Sequence, residues 1–183
     1  MERKPKLSVL LSAEAISKRV AELAEEIDRY YKGQDVLVVV VLKGAFVFAA
    51  DLIRMLSIPV EVEFVRLESY GKATVSSRQV RLTSEIGRSI EGRRVLVVED
   101  IIDTGWSLSF LLDYLEDRGA ADIKVCALID KPARREVDVK ADFLGFVVPN
   151  VFIVGYGIDY DESYRSLPNI CTLEIDSLNN NSG

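Results

Sequence analysis

The sequence predicts an α/β fold, a mostly parallel doubly wound sheet with helices on both faces. Three observations carry this. Val36 to Leu42 is an unbroken apolar run rich in β-branched residues, the pattern of a strand covered on both sides. Such runs alternate along the chain with segments of helical periodicity, and that alternation builds parallel sheets. The 183 residues, 49% of them hydrophobic, suffice for one domain that buries roughly 70% of its unfolded surface.

Taken in order, Ser12 is placed to cap a first helix whose apolar positions Ile16, Val20, Leu23 and Ile27 share a face; Gly33 ends it. Val36 to Leu42 is the first strand. Gly44 to Leu56 returns to helical spacing through Ala45, Phe46, Ala49, Leu52 and Ile53. Strands follow at Val60 to Leu67, Val95 to Val98 and Ile123 to Ile129, the last two separated by a helix from Ser107 to Asp117. Between them, Glu68 to Arg88 is polar and rich in Ser, Thr and Gly, which predicts a mobile loop containing a weak hairpin. Phe143 to Val148, Val151 to Gly155 and Cys171 to Ile175 are further strands, and the polar tail from about residue 177 to 183 is expected to be disordered. No repeat or linker divides the chain, so residues 1–183 are read as a single domain.

Composition excludes several classes of function. A net charge of −6 has the wrong sign for a protein whose main partner is a nucleic-acid backbone, and there is no basic stripe. The longest apolar run is far short of the ~20 residues that cross a bilayer, and MERKPKLS lacks the apolar core of a signal peptide. Cys126 and Cys171 sit in apolar runs, and the chain has no histidine, so neither a disulfide scaffold nor a zinc site is expected. Two buried free thiols fit a reducing compartment, the cytoplasm.

The chemistry concentrates in VLVVEDIIDTGWS, residues 95 to 107. An apolar strand runs into two adjacent acids, a third acid and Thr-Gly, and open α/β sheets bind ligands at such strand ends. Thr104, Gly105 and Ser107 supply hydroxyls, a residue without Cβ and backbone N–H groups at a helix start, a set suited to a phosphate monoester. Glu99 and Asp100 are expected at the lip of the strand, able to accept from sugar hydroxyls and to orient a hydrated magnesium ion. Solvated loop acids are the alternative, and so is a phosphoacceptor receiver domain. The latter gives no reason for ESYG at 68 to 71 or for the DTGWS turn.

VVEDIIDTG resembles the phosphoribosyl-pyrophosphate motif of purine phosphoribosyltransferases, and more closely of their hypoxanthine-guanine branch. LKG at 42 to 44, ESYG, DKP at 130 to 132 and FIVGYGIDYDESYR at 152 to 165 follow in that family's order. The resemblance implies a type I phosphoribosyltransferase fold with a small hood and a mobile active-site loop. It implies transfer of the 5-phosphoribosyl group from phosphoribosyl pyrophosphate to a 6-oxopurine, with Mg2+ as cofactor, in a homodimer or homotetramer. A regulatory RNA-binding protein of the same fold is disfavoured by the acidic charge.

The resemblance also implies residue roles. Asp103 orients or accepts the base proton. Glu99, Asp100, Ile102, Asp103, Thr104, Gly105, Trp106 and Ser107 surround the ribose 5-phosphate. Lys43, Gly44, Arg165, Ser69 and Tyr70 face pyrophosphate, and the Leu42–Lys43 peptide can be cis. Lys131, Phe152, Ile153 and Asp159 address the purine, and Glu99, Asp100 and Asp159 approach magnesium. Trp106 departs from the varied, often polar residues of relatives.

Overall fold

The computed structural model describes residues 6–70 and 79–174. The expectations for residues 71–78 of the loop, for the 177–183 tail and for the side chains of Ser69 and Tyr70 lie outside the described residues. Continuous β-branched sequence gives β2 (Val36–Leu42) its place at the centre of a six-stranded sheet, where both faces are covered. Strand order is β4-β3-β2-β5-β6-β7, with β3 (Val60–Tyr70), β5 (Arg94–Ile102), β6 (Asp122–Asp130) and β7 (Phe143–Val147) parallel to β2. Only β4 (Gln79–Ser84) runs antiparallel, against β3, and forms the hairpin expected within the 68–88 segment.

Helices α1 (Ala13–Tyr31) and α2 (Phe46–Met55) cover one face, with Ile16, Val20, Leu23, Phe48 and Leu52 fully buried against Val38, Val40 and Val98. Ser12 caps α1, its Oγ accepting from the Ala15 N–H at 3.2 Å. Helix α3 (Trp106–Asp117) covers the other face through Leu108, Leu111 and Leu115, packed on Val39, Val97 and Ala127. The sheet is therefore doubly wound. Both cysteines are buried and free.

The structure departs from expectation in three places. Lys6–Leu11 is a strand, β1, that local periodicity does not predict; it pairs antiparallel with β9 (Ile170–Glu174). The expected strand Val151 to Gly155 shrinks to β8 (Ile153–Val154), because Gly155 and Gly157 adopt positive φ and turn the chain away. Together β1, β9 and β8 form a separate three-stranded hood sheet. The strand expected to end at Val98 continues to Ile102, so Glu99 and Asp100 lie within β5 rather than at its lip; pairing with Ala127 to Asp130 of β6 extends the ladder past them.

Candidate active site

The sheet reverses its winding between β2 and β5: the chain leaves β2 through α2 to β3 on one side, and leaves β5 through α3 to β6 on the other. Carboxyl ends of strands at such a switch point leave a crevice for ligands. The Leu42–Lys43 peptide at the end of β2 is cis, and Gly44 lies against the Asp100 side chain of β5. A β-carbon added at Gly44 would lie 2.5 Å from Asp100 Cγ. From the third side, Gly157 packs on the Gly44 carbonyl so closely that it too has no room for a side chain. Two glycines thus let β2, β5 and the loop after β8 converge on one point.

Glu99 is only 7% exposed, and burial, reinforced by the adjacent Asp100 carboxylate, pushes its carboxyl well above the usual range. Burial raises Asp100 as well, opposed by hydrogen bonds and by the Arg165 guanidinium. Such a pair gains from any ligand that brings hydroxyl donors or a cation to it. Among the described residues no three Cys, Asp or Glu side chains gather to ligate a metal unaided.

Beyond β5 the chain enters the Asp103–Gly105 turn. Gly105 has φ 94°, and α3 starts there without a side-chain cap, which leaves the first helical N–H groups for a ligand. Glu99, Ile102, Asp103, Thr104, Gly105 and Ser107 all line a cavity of about 180 Å³ at this turn. Trp106 points out of it: its indole N–H donates to Glu136 at 2.9 Å. The indole is therefore outside the cavity, which leaves the cradle to backbone and hydroxyl groups.

Sequence reasoning missed what holds the turn in place. The Arg135 guanidinium donates to the carbonyls of Asp103 (3.1 Å), Ile102 (3.4 Å) and Val139, and pairs with the Asp130 carboxylate. Thr104 O accepts from the Glu136 and Val137 N–H groups at 2.9 and 3.1 Å. Arg134 Nε stands 2.9 Å from Asp103 Oδ1 without hydrogen-bond alignment, so that buried oxygen has an ionic neighbour but no hydrogen-bond partner. No local pattern in KPARREVDVK announces these roles; they arise only when the segment folds under the turn.

At the other end of the crevice, Lys131 is 9% exposed and its Nζ donates to the Val151 carbonyl at 2.8 Å. Burial draws its ammonium below the ordinary lysine value, and Asp103 opposes that shift. Phe152 is half exposed, with Tyr160 edge-on to its ring at a 5.4 Å centroid separation. Ile153 is buried, so only its backbone is available. Arg165 donates to the Gly157 carbonyl at 2.9 Å and pairs with Asp159 at 2.9 Å, while Lys43 pairs with Glu162 at 2.9 Å. The Asp159 carboxylate also accepts from the Glu162 N–H, so it is engaged in its own loop and not gathered with Glu99 and Asp100.

Residues 7–161 match the family model described as phosphoribosyl transferase domain. The chain is 47% identical over 166 residues to the bifunctional protein TilS/HprT of Listeria monocytogenes, a match that covers 91% of this chain and spans 26% of that much longer protein. It is also 47% identical over 166 residues to the hypoxanthine-guanine phosphoribosyltransferase of Bacillus subtilis, covering 91% of this chain and 92% of the relative. A crystal structure of a Bacillus anthracis hypoxanthine-guanine phosphoribosyltransferase superimposes with a TM-score of 0.89 at 45% identity, covering 93% of this chain and all of that one.

Proposed function

The chain belongs to the phosphoribosyltransferase family, and from that premise we propose that it transfers the 5-phosphoribosyl group of phosphoribosyl pyrophosphate to hypoxanthine or guanine. The products are IMP or GMP and pyrophosphate, a purine-salvage reaction. The observation that carries the choice of base is Lys131, a buried ammonium anchored on the carbonyl of Val151, the residue before the half-exposed Phe152.

The ring nitrogen of the base displaces pyrophosphate at the anomeric carbon through a transition state with positive charge on the ribose, so catalysis is positioning and electrostatics. The Asp103 to Ser107 turn and the first N–H groups of α3 hold the 5-phosphate. Glu99 and Asp100 accept from the ribose hydroxyls, and their negative charge favours the cationic sugar. Asp103 takes or orients the proton of the attacking ring. Lys43, the Gly44 backbone and Arg165 receive pyrophosphate, whose planar recognition suits a guanidinium. Phe152 stacks on the purine and Ile153 offers backbone groups. Ser69 and Tyr70, which end β3 where the sequence resemblance implied a loop, contribute to closing the site against water.

Two adjacent carboxylates fit magnesium, which characteristically takes one or two protein carboxylates and completes its shell with water and substrate oxygens. When bound, the ion would neutralise charge on pyrophosphate; Glu99 and Asp100 would hold it, and Asp159 would reach a second ion only by leaving its Glu162 and Arg165 partners. Turnover is expected to vanish on exhaustive chelation and to return on adding Mg2+, followed by pyrophosphate release; full turnover without divalent ions would contradict these roles.

Among the described residues no helix is long and apolar enough to cross a membrane. We place the chain in the cytoplasm on its buried free thiols. The exposed Phe46 borders an apolar groove shared with Val47, Leu167 and Pro168, which supports assembly into a homodimer or homotetramer.

Lysine can only donate hydrogen bonds. Hypoxanthine and guanine present a carbonyl oxygen to the N–H groups that Lys131 does not spend on the Val151 carbonyl, whereas adenine presents an amino group and leaves those N–H groups of a buried cation without an acceptor. Lys131→Ala is expected to lower catalytic efficiency with hypoxanthine and guanine about ten- to a hundredfold and to narrow their advantage over adenine. Unchanged rates and ranking across the bases in steady-state assays would remove Lys131 from base reading.

A further inference from the structure

Lys43 and Arg165 are bridged by one side chain. Glu162 Oε1 lies 2.9 Å from Lys43 Nζ, and Glu162 Oε2 lies 3.2 Å from an Arg165 terminal nitrogen. The two oxygens of a single carboxylate are divided between two cations, as two oxygens of a bridging phosphate would be. Hydrogen bonds from Lys43 and then Arg165 hold this carboxyl below its usual range.

The backbone aims it there. Asp161, Glu162 and Tyr164 all have positive φ, a left-handed conformation uncommon outside glycine. Tyr160 and Ser163 exchange backbone hydrogen bonds across the turn, and the Glu162 N–H donates to Asp159 at 2.9 Å. Arg165 is held from behind by the Gly157 carbonyl and Asp159, and among the described residues its buried Nε has no hydrogen-bond partner. Arg165 is therefore fixed, whereas the Lys43 and Glu162 side chains are 45% and 65% exposed, and the carboxylate is free to swing into solvent.

We propose that Glu162 is an internal competitor for pyrophosphate: its carboxylate occupies the anion position between Lys43 and Arg165 in the free protein and returns when pyrophosphate leaves. This rests on Lys43 and Arg165 being pyrophosphate ligands. A multiply charged anion displaces a single carboxylate readily, because exposed ion pairs are weak, yet the carboxylate's return lowers the barrier to product departure. Two such contacts weaken pyrophosphate binding by about three- to tenfold.

The test is product inhibition by inorganic pyrophosphate with saturating Mg2+, measured for the unmodified chain, Glu162→Gln, Glu162→Ala and Arg165→Gln. Both Glu162 variants are expected to lower the inhibition constant about three- to tenfold without changing KM for the base, and Arg165→Gln to raise it. If Arg165→Gln raises the constant while the Glu162 variants leave it unchanged or raise it too, the competitor role is overturned and the pyrophosphate site stands. If Arg165→Gln changes nothing, the assignment of Arg165 to pyrophosphate fails and the proposal falls with it.

Discussion

Gly44→Ala is expected to cost a hundredfold or more in kcat/KM. The added methyl would overlap the Asp100 carboxyl group, with Cγ at 2.5 Å and Oδ1 at 2.9 Å. The Asp100 carboxyl can clear the methyl only by rotating away from its present position beside the buried Glu99, which breaks up the acidic pair. Either the Lys43–Gly44 turn or the acidic pair must shift by several tenths of an ångström or more. A displacement of about 1 Å in a reacting constellation costs on the order of 10²-fold. Overpacking should also cost about 1 to 3 kcal/mol of stability, visible as a lowered thermal midpoint by circular dichroism. Gly87 supplies the control, because a methyl added there would meet nothing within 4 Å and its φ is not positive: Gly87→Ala should leave both activity and midpoint unchanged. Ordinary kinetics from Gly44→Ala would mean that the contact between β2 and β5 is not part of the site.

Asp103→Asn should lower kcat by roughly 10²- to 10³-fold, within the range for loss of general acid–base assistance, while affinity for phosphoribosyl pyrophosphate changes by less than about fivefold. Asparagine keeps the shape but loses the charge and the basicity. The turn itself should survive, because Arg135 and the Glu136 and Val137 N–H groups hold it through the backbone carbonyls of Ile102, Asp103 and Thr104; the side chain loses only its partly exposed ion pair with Arg134. Steady-state kinetics alongside direct titration of phosphoribosyl pyrophosphate separates the two effects. Equal losses in turnover and binding would make Asp103 a ligand of the sugar phosphate and not the proton-handling group.

How much of the molecule is legible in its sequence follows from how local each signal is. Val36–Leu42 matches β2 residue for residue because a strand buried on both faces needs no partner's pattern to be seen. Ser12 and the Thr104–Gly105 turn are readable because caps and anion turns are built from neighbouring residues. β1 is not, since KLSVLL is short, its burial is slight, and the partner that makes it a strand lies at the far end of the chain in β9. The extension of β5 through Glu99 and Asp100 is hidden for the same reason: acids are poor strand formers, and β6 recruits them through pairing. Arg135 and Glu162 are the clearest losses. Each lies in a polar segment where a charged residue reads as solvated, and each gains its role from partners that include carbonyls or a cation brought by the fold from about 30 to 120 residues away.

If the crevice between β2 and β5 transfers phosphoribosyl groups to 6-oxopurines, the purified chain should make nucleotide from the right bases alone. The most direct measurement incubates it with phosphoribosyl pyrophosphate, Mg2+ and, separately, hypoxanthine, guanine, xanthine and adenine, and quantifies nucleotide and pyrophosphate. One nucleotide per pyrophosphate is expected with hypoxanthine and guanine, with efficiency at least about tenfold above adenine, the scale set by leaving N–H groups of the buried Lys131 without an acceptor from the base. Equal or faster use of adenine, or no nucleotide from any of the four bases, would contradict it.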